Sequence, residues 1–142
     1  MDAALGISQL KKDGFRMGKG RSAILEVFEQ AKKPLSAPEI LALLFKKQVQ
    51  INKTTVYREL EFLKNKNLIR QVPVSSNTEY YESALQNHHH HLVCESCSMM
   101  VEIETSELEK NIQNLTSTVA KNKQFTIESH ALEFFGKCAN CS

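Results

Sequence analysis

Four cysteines stand in two C-x-x-C pairs, Cys94-Glu95-Ser96-Cys97 and Cys138-Ala139-Asn140-Cys141, with 40 residues between them. Each pair brings two thiolates within reach of one tetrahedral ion. Two pairs complete a closed sulfur shell, the donor set that structural zinc prefers. Soft thiolates argue against magnesium or calcium. Two disulfides and an iron–sulfur centre are the competing uses of four cysteines. A redox C-x-x-C belongs with a βαβ pattern, and neither pair has one around it. Zinc here would tie residues 138–141 back to residues 94–97, which a small domain can use in place of a larger core.

Just upstream stands an internal run, His88-His89-His90-His91, followed directly by Leu92-Val93. The apolar pair predicts a strand, on which side chains alternate between faces. His89 and His91 then point one way, His88 and His90 the other. One short segment thus offers two imidazoles to each of two metal sites. The rest of each shell must come from elsewhere, and no Asp follows Asp13. Glu82, Glu102, Glu104, Glu109 and His130 are the candidates. Mixed imidazole and carboxylate shells suit zinc, iron(II), manganese or nickel, and ligand type alone does not choose among them.

The charge distribution separates these donors from the rest of the chain. The 142 residues carry a net charge of only +2, yet residues 1–72 carry +7 and residues 73–142 carry −5. All five His and all four Cys fall in the acidic half. This pattern suggests polyanion contact in the first half and cation binding in the second. With 42% hydrophobic residues the chain can bury a real core, so it is neither a disordered tail nor a fibre. No apolar run approaches the roughly 20 residues a membrane helix needs. Met1 to Gly14 has no basic segment followed by an apolar one, so no signal peptide and a cytoplasmic protein are expected.

Helical periodicity runs over about Ala3–Asp13, Arg21–Ala31, Pro38–Lys47 and Lys53–Lys66. Ser36-Ala37-Pro38-Glu39 reads as a capping box. Ile69–Val74 and Glu79–Glu82 flank Ser75-Ser76-Asn77, a hairpin signal. Three helices followed by a small hairpin are the order of a winged helix-turn-helix, whose last helix enters the major groove. Lys53, Thr55, Tyr57 and Arg58 on that helix are the expected base and phosphate contacts, with Arg16, Lys19 and Arg21 anchoring the backbone. In the acidic half, Val101–Glu104 reads as a strand. Ser106-Glu107-Leu108-Glu109 reads as a second capping box, opening a helix to about Lys121. Phe125–Ile127 and Leu132–Phe134 read as strand, with a bulge near Ser129-His130-Ala131. A small α+β unit with exposed apolar residues is expected to pair with a copy of itself, as a two-half-site DNA reader requires.

Three segments, taken together, resemble the ferric uptake regulator (Fur) family of bacterial metal-dependent regulators. They are Lys53-Thr54-Thr55-Val56-Tyr57-Arg58, then His88 through Cys97, and Ser129-His130 followed by Gly136-Lys137-Cys138-Ala139-Asn140-Cys141. The resemblance covers almost the whole chain. It implies an α+β protein with a winged-helix DNA-binding domain over residues 1–83, a hinge at about 82–88 and a dimerisation domain over residues 84–142. It implies structural zinc on Cys94, Cys97, Cys138 and Cys141. A sensory site would map onto Glu82, His89, His91 and Glu102, and a second metal site onto His88, His90, Glu109 and His130.

The function implied is a homodimeric repressor that binds double-stranded, palindromic operator DNA when its sensory site holds a divalent metal. The family includes iron, zinc, manganese and peroxide sensors. Many members place a sensory His in a His-x-Ser-Ala-like context, where this chain has Pro34 before Leu35-Ser36-Ala37, and the first half has no His at all. That departure favours Zn2+ over Fe2+ as effector. Thr54 replaces a usual Ala and Ser98 a usual Gly. Two other classes compete. A zinc hydrolase would need an open coordination position, and no H-E-x-x-H helix occurs, so no catalytic residue is assigned. A metal-storage protein would have no use for Tyr57 and Arg58 on a basic helix.

Overall fold

The computed structural model describes residues 3–74, 77–104 and 106–142. It divides into two compact units, Met1–Asn87 and His88–Ser142. The first unit runs α1 (Ala3–Lys12), α2 (Lys19–Gln30), β1 (Leu35–Ser36), α3 (Ala37–Lys46), α4 (Lys53–Asn65), β2 (Ile69–Val72) and β3 (Tyr80–Ser83). Its strands form an antiparallel sheet in the order β1-β3-β2. This is a winged helix-turn-helix, with β2 and β3 as the wing. The turn foreseen at Ser75-Ser76-Asn77 falls largely on Ser75 and Ser76, which lie outside the described residues. The two-residue β1 carries no periodic signal of its own, because Ser36 is at once its last residue and the N-cap of α3.

The core is the joint apolar face of α2, α3 and α4. Ile24, Leu25, Phe28, Ile40, Leu44, Val56, Leu60 and Leu63 are all buried there, each contributing about 1.5–3 kcal/mol of transfer free energy. The Ser36–Glu39 capping box forms as expected. The Ser36 hydroxyl accepts from the Glu39 N–H, and the Glu39 carboxylate accepts from the Ser36 N–H at 2.8 Å. Asn52 caps α4 by accepting from the Thr55 N–H at 2.8 Å.

Helices α1, α3 and α4 end alike, on a residue with positive φ: Gly14 (82°), Gln48 (59°) and Asn67 (57°). The next N–H bonds back into the last turn, as in Phe15 N to Leu10 O at 2.9 Å, Val49 N to Leu44 O at 3.0 Å and Leu68 N to Leu63 O at 3.0 Å. These are Schellman-type ends. Only the first carries the glycine that would announce it.

The second unit comprises β4 (His90–Cys94), β5 (Met100–Ile103), α5 (Ser106–Lys123) and β6 (Glu133–Gly136). Its sheet order is β5-β4-β6, with β5 antiparallel and β6 parallel to β4. A parallel neighbour needs a long crossover, which α5 supplies. Two adjacent rungs define the unit. Glu102, His91 and Glu133 lie opposite one another across the three strands, and so do Val101, Leu92 and Phe134. Opposed residues share a face and successive rungs alternate. One face therefore carries His91 between two carboxylates, and the other carries His90 and an apolar row. Leu92, Val101 and Phe134 are each more than 40% exposed, and α5 buries no residue, with Leu115 and Val119 open.

Three expectations fail in this unit. Phe125–Ile127 is not a strand: among the described residues no ladder partner reaches it, and Phe125 is 68% exposed. The bulge near Ser129-His130-Ala131 is absent for the same reason, since a bulge interrupts a ladder and these residues precede β6. Ser106 does not cap α5 but is its first residue, and Thr105 lies outside the described residues. The Glu109 carboxylate faces imidazoles instead of closing a capping box. Among the described residues no helix is long and apolar enough to cross a membrane.

Candidate metal centres and nucleic-acid interface

The cysteine cluster lies where β4 and β6 both end. Cys94 is the last residue of β4, and Cys138 follows β6 by two residues. A turn from Cys94 to Ser98, closed by Ser98 N to Cys94 O at 2.9 Å, returns Cys97 to the cluster. Ser98 sits at φ 61°, a left-handed position that explains why glycine is usual there. Cys141 N to Cys138 O at 3.0 Å closes the second pair. The four sulfurs lie within 4.8 Å of one another. Cys97 and Cys138 are 3.8 Å apart, the separation of about 3.8 Å that two sulfurs hold on tetrahedral zinc at ~2.3 Å each.

The thiols are electrostatically unequal. The Cys138 N–H, at 3.3 Å, and then the Cys97 N–H stabilise the Cys94 thiolate and lower its pKa to about 6. Hydrogen bonds with Cys138 and then Cys97 push Cys141 up to about 12. Neighbouring thiols that compete for negative charge gain most from a dication, so the donor chemistry fits zinc.

His88, His90, Glu109 and His130 form a second cluster. His88 Nε2 and His130 Nε2 are 2.8 Å apart, and His90 Nε2 lies 2.5 Å from Glu109 Oε1. Glu109 also approaches His88 at 3.3 Å and His130 at 3.6 Å. The His90 hydrogen bond, with the nearby His88 and His130, holds the Glu109 carboxyl below its ordinary pKa. Glu109 comes from the first turn of α5 and His130 from the segment before β6. The helix and the parallel crossover thus bring distant residues to the outer side of the His run.

His89 and His91 lie on the other side, both buried, with Nε2 atoms 3.2 Å apart. Glu102 Oε1 is 3.6 Å from His89 Nε2. Ligands about 2.0–2.1 Å from a tetrahedral ion sit roughly 3.3–3.5 Å apart, so this spacing suits one ion. Glu82 belongs to the first unit, in β3, where it is buried and bonds Arg70 at 2.7 Å across the β2–β3 rung. Glu104 joins neither histidine cluster. Residue type and spacing did not single out Glu133, whose carboxylate lies 3.5 Å from His91 Nδ1. Its trace is an acid set between Leu132 and Phe134, but only the parallel register puts it beside His91.

On the basic unit, Lys53, Tyr57 and Arg58 are exposed on α4, Thr55 is half-buried beside them, and Arg16 and Lys19 are exposed before and at the start of α2. Arg21, expected at phosphate, is committed within the fold. It donates to both Glu59 oxygens at 2.7 and 3.1 Å and to the Arg16 carbonyl at 2.9 Å, and stacks 3.9 Å from the Phe62 ring centre.

A chain of two compact units, with a winged helix and three donor clusters, finds close counterparts. Residues 12–135 match the family model described as the ferric uptake regulator family. The chain is 30% identical to the ferric uptake regulation protein of Neisseria gonorrhoeae over 142 residues, covering 99% of this chain and 96% of that one. It is 31% identical to that of Helicobacter pylori over 132 residues, covering 93% and 85%. Among solved structures, the H. pylori ferric uptake regulator superposes with a TM-score of 0.78 at 30% identity, covering 97% of this chain and 89% of that one. The Vibrio cholerae regulator also gives 0.78, at 27% identity, covering 92% and 98%. The chain belongs to the ferric uptake regulator family of metal-responsive, DNA-binding transcriptional regulators.

Proposed function

We propose that this chain is a homodimeric repressor whose hold on a palindromic operator is switched by a divalent metal, with Glu82, His89, His91 and Glu102 as the sensory ligands. The observation that carries the reading is the buried His89–His91 pair, 3.2 Å apart with a carboxylate at its edge. Cys94, Cys97, Cys138 and Cys141 hold zinc permanently, and His88, His90, Glu109 and His130 form a further site. The solved H. pylori relative has three functional metal binding sites, and three donor sets are proposed here. Metal that binds the DNA-competent state more tightly than the open state selects that state. By linkage, DNA then tightens metal binding by the same factor. The exposed row of Leu92, Val101 and Phe134, with α5, supplies the dimer surface. Lys53, Thr55, Tyr57 and Arg58 read the major groove, and Arg16 and Lys19 contact phosphate.

Zinc is the proposed effector, because the first 87 residues contain no His to complete an iron-type shell. Titration of zinc-retaining protein with Zn(II), Fe(II) and Mn(II), read by fluorescence anisotropy on operator DNA, tests both points. Zn(II) should tighten binding most. Binding unchanged by chelator, or by His89→Ala combined with His91→Ala, refutes the switch. Tyr57→Ala with Arg58→Ala should abolish DNA binding at unchanged metal content; survival of binding refutes the recognition helix.

A further inference from the structure

We infer that Glu133 is a positioning residue that fixes the tautomer of His91, so that Nε2 faces the metal. The inference rests on the sensory reading of His89 and His91. His91 is buried, and its two ring nitrogens face different partners. Nε2 lies 3.2 Å from His89 Nε2, and Nδ1 lies 3.5 Å from a Glu133 carboxylate oxygen. A ligating imidazole presents a lone pair at one nitrogen and donates the N–H of the other, commonly to a carboxylate. Glu133 stands on the donor side. Its side chain is itself only 11% exposed, so little water competes for that N–H. At 3.5 Å the two form an ion-pair contact just beyond hydrogen-bond length.

The placement is a property of the sheet. Glu133 and His91 are Cα partners in the parallel β4–β6 pair, and Glu102 is the partner of His91 on the β5 side. Of the two flanking carboxylates, Glu102 lies toward His89 Nε2, the metal side, and Glu133 toward Nδ1. The register is pinned three residues further on, where Glu95 N bonds Gly136 O at 2.8 Å and Cys138 N bonds Cys94 Sγ at 3.3 Å. The cysteine cluster thus holds β6 where Glu133 can meet His91.

The test compares wild type, Glu133→Ala and the near-isosteric Glu133→Gln, all retaining the four-cysteine zinc. Imidazole nitrogen chemical shifts, measured with the regulatory site empty, read the His91 tautomer. Zn(II) competition against a chromophoric chelator reads affinity. Wild type and Glu133→Gln should show the Nδ1–H form, because the amide oxygen still accepts. Glu133→Ala should show mixed tautomers and about 10–100-fold weaker regulatory zinc, with Glu133→Gln between. An unchanged tautomer and affinity in Glu133→Ala overturns the inference. So does a Glu133→Gln variant as weak as Glu133→Ala with one zinc ligand fewer by X-ray absorption, which makes Glu133 a direct ligand. If Glu133→Ala does not fold, Glu133→Gln alone decides: full wild-type affinity or a lost Nδ1–H form overturns the inference. Wild-type protein that binds no zinc beyond the cysteine site refutes the sensory reading instead, while the tautomer still decides the role of Glu133.

Discussion

Arg21 and Glu59 are joined by two parallel hydrogen bonds, 2.7 and 3.1 Å, that tie α2 to α4. Both side chains are less than one-fifth exposed, and the guanidinium also covers Phe62. The pair therefore braces α4, which carries Tyr57 and Arg58, against α2. Arg21→Ala should destabilise the first unit by about 2 kcal/mol, the range for charge-assisted bonds with little solvent. Arg21→Lys should recover only part, because an ammonium cannot span both oxygens. Urea unfolding midpoints measure both.

The apolar rung of Val101, Leu92 and Phe134 gives the second prediction. A row this exposed is covered in a stable assembly. Val101→Glu should place a charge at its β5 end and shift the protein from dimer to monomer in sedimentation velocity. Operator binding should fall with it, since one winged helix reads one half-site. An unchanged sedimentation coefficient would remove this face from the interface.

Removing the cysteine zinc should damage more than the cysteine site. Cys94→Ser with Cys97→Ser should abolish the tightly held zinc, whose binding contributes on the order of 10 kcal/mol in small zinc domains. The melting transition of the second unit should drop or vanish. Because the cluster pins β6 against β4, His91 should also lose its defined nitrogen shifts. Elemental analysis, calorimetry and nuclear magnetic resonance follow the three effects.

Glu39 predicts a pH dependence. Partial burial alone would raise its pKa, but the Lys33 ammonium at 2.6 Å and the Ser36 N–H and hydroxyl outweigh that, and the net shift is downward. A depressed carboxylate adds stability that is present above its unfolded pKa and lost as pH falls through its folded pKa. Glu39→Gln should therefore cost about 0.5–1 kcal/mol at neutral pH, the scale of a helix cap. The difference from wild type should shrink toward zero in acid. Thermal melts of both proteins between neutral pH and acid measure it.

Residue type and local spacing already determine much of this protein. The paired cysteines announce a tetrahedral sulfur site, because two thiolates at C-x-x-C spacing reach one ion whatever the fold around them. Strand alternation alone sorts His88 and His90 from His89 and His91. The apolar period of α2 to α4 and the Ser36–Glu39 box are short-range features, and so was the order of the winged helix. What tertiary structure decided depends on partners far away in sequence. Helix ends at Gln48 and Asn67 carry no glycine to mark them. Phe125–Ile127 alternates like a strand but finds no ladder. Arg21 looks like a phosphate contact until Glu59, 38 residues away, takes its donors. Glu133 meets His91 only because α5 carries the chain over to a parallel neighbour in one register. Local patterns record the interactions within a turn or a strand, whereas pairing register and long-range ion pairs exist only once the chain has closed on itself.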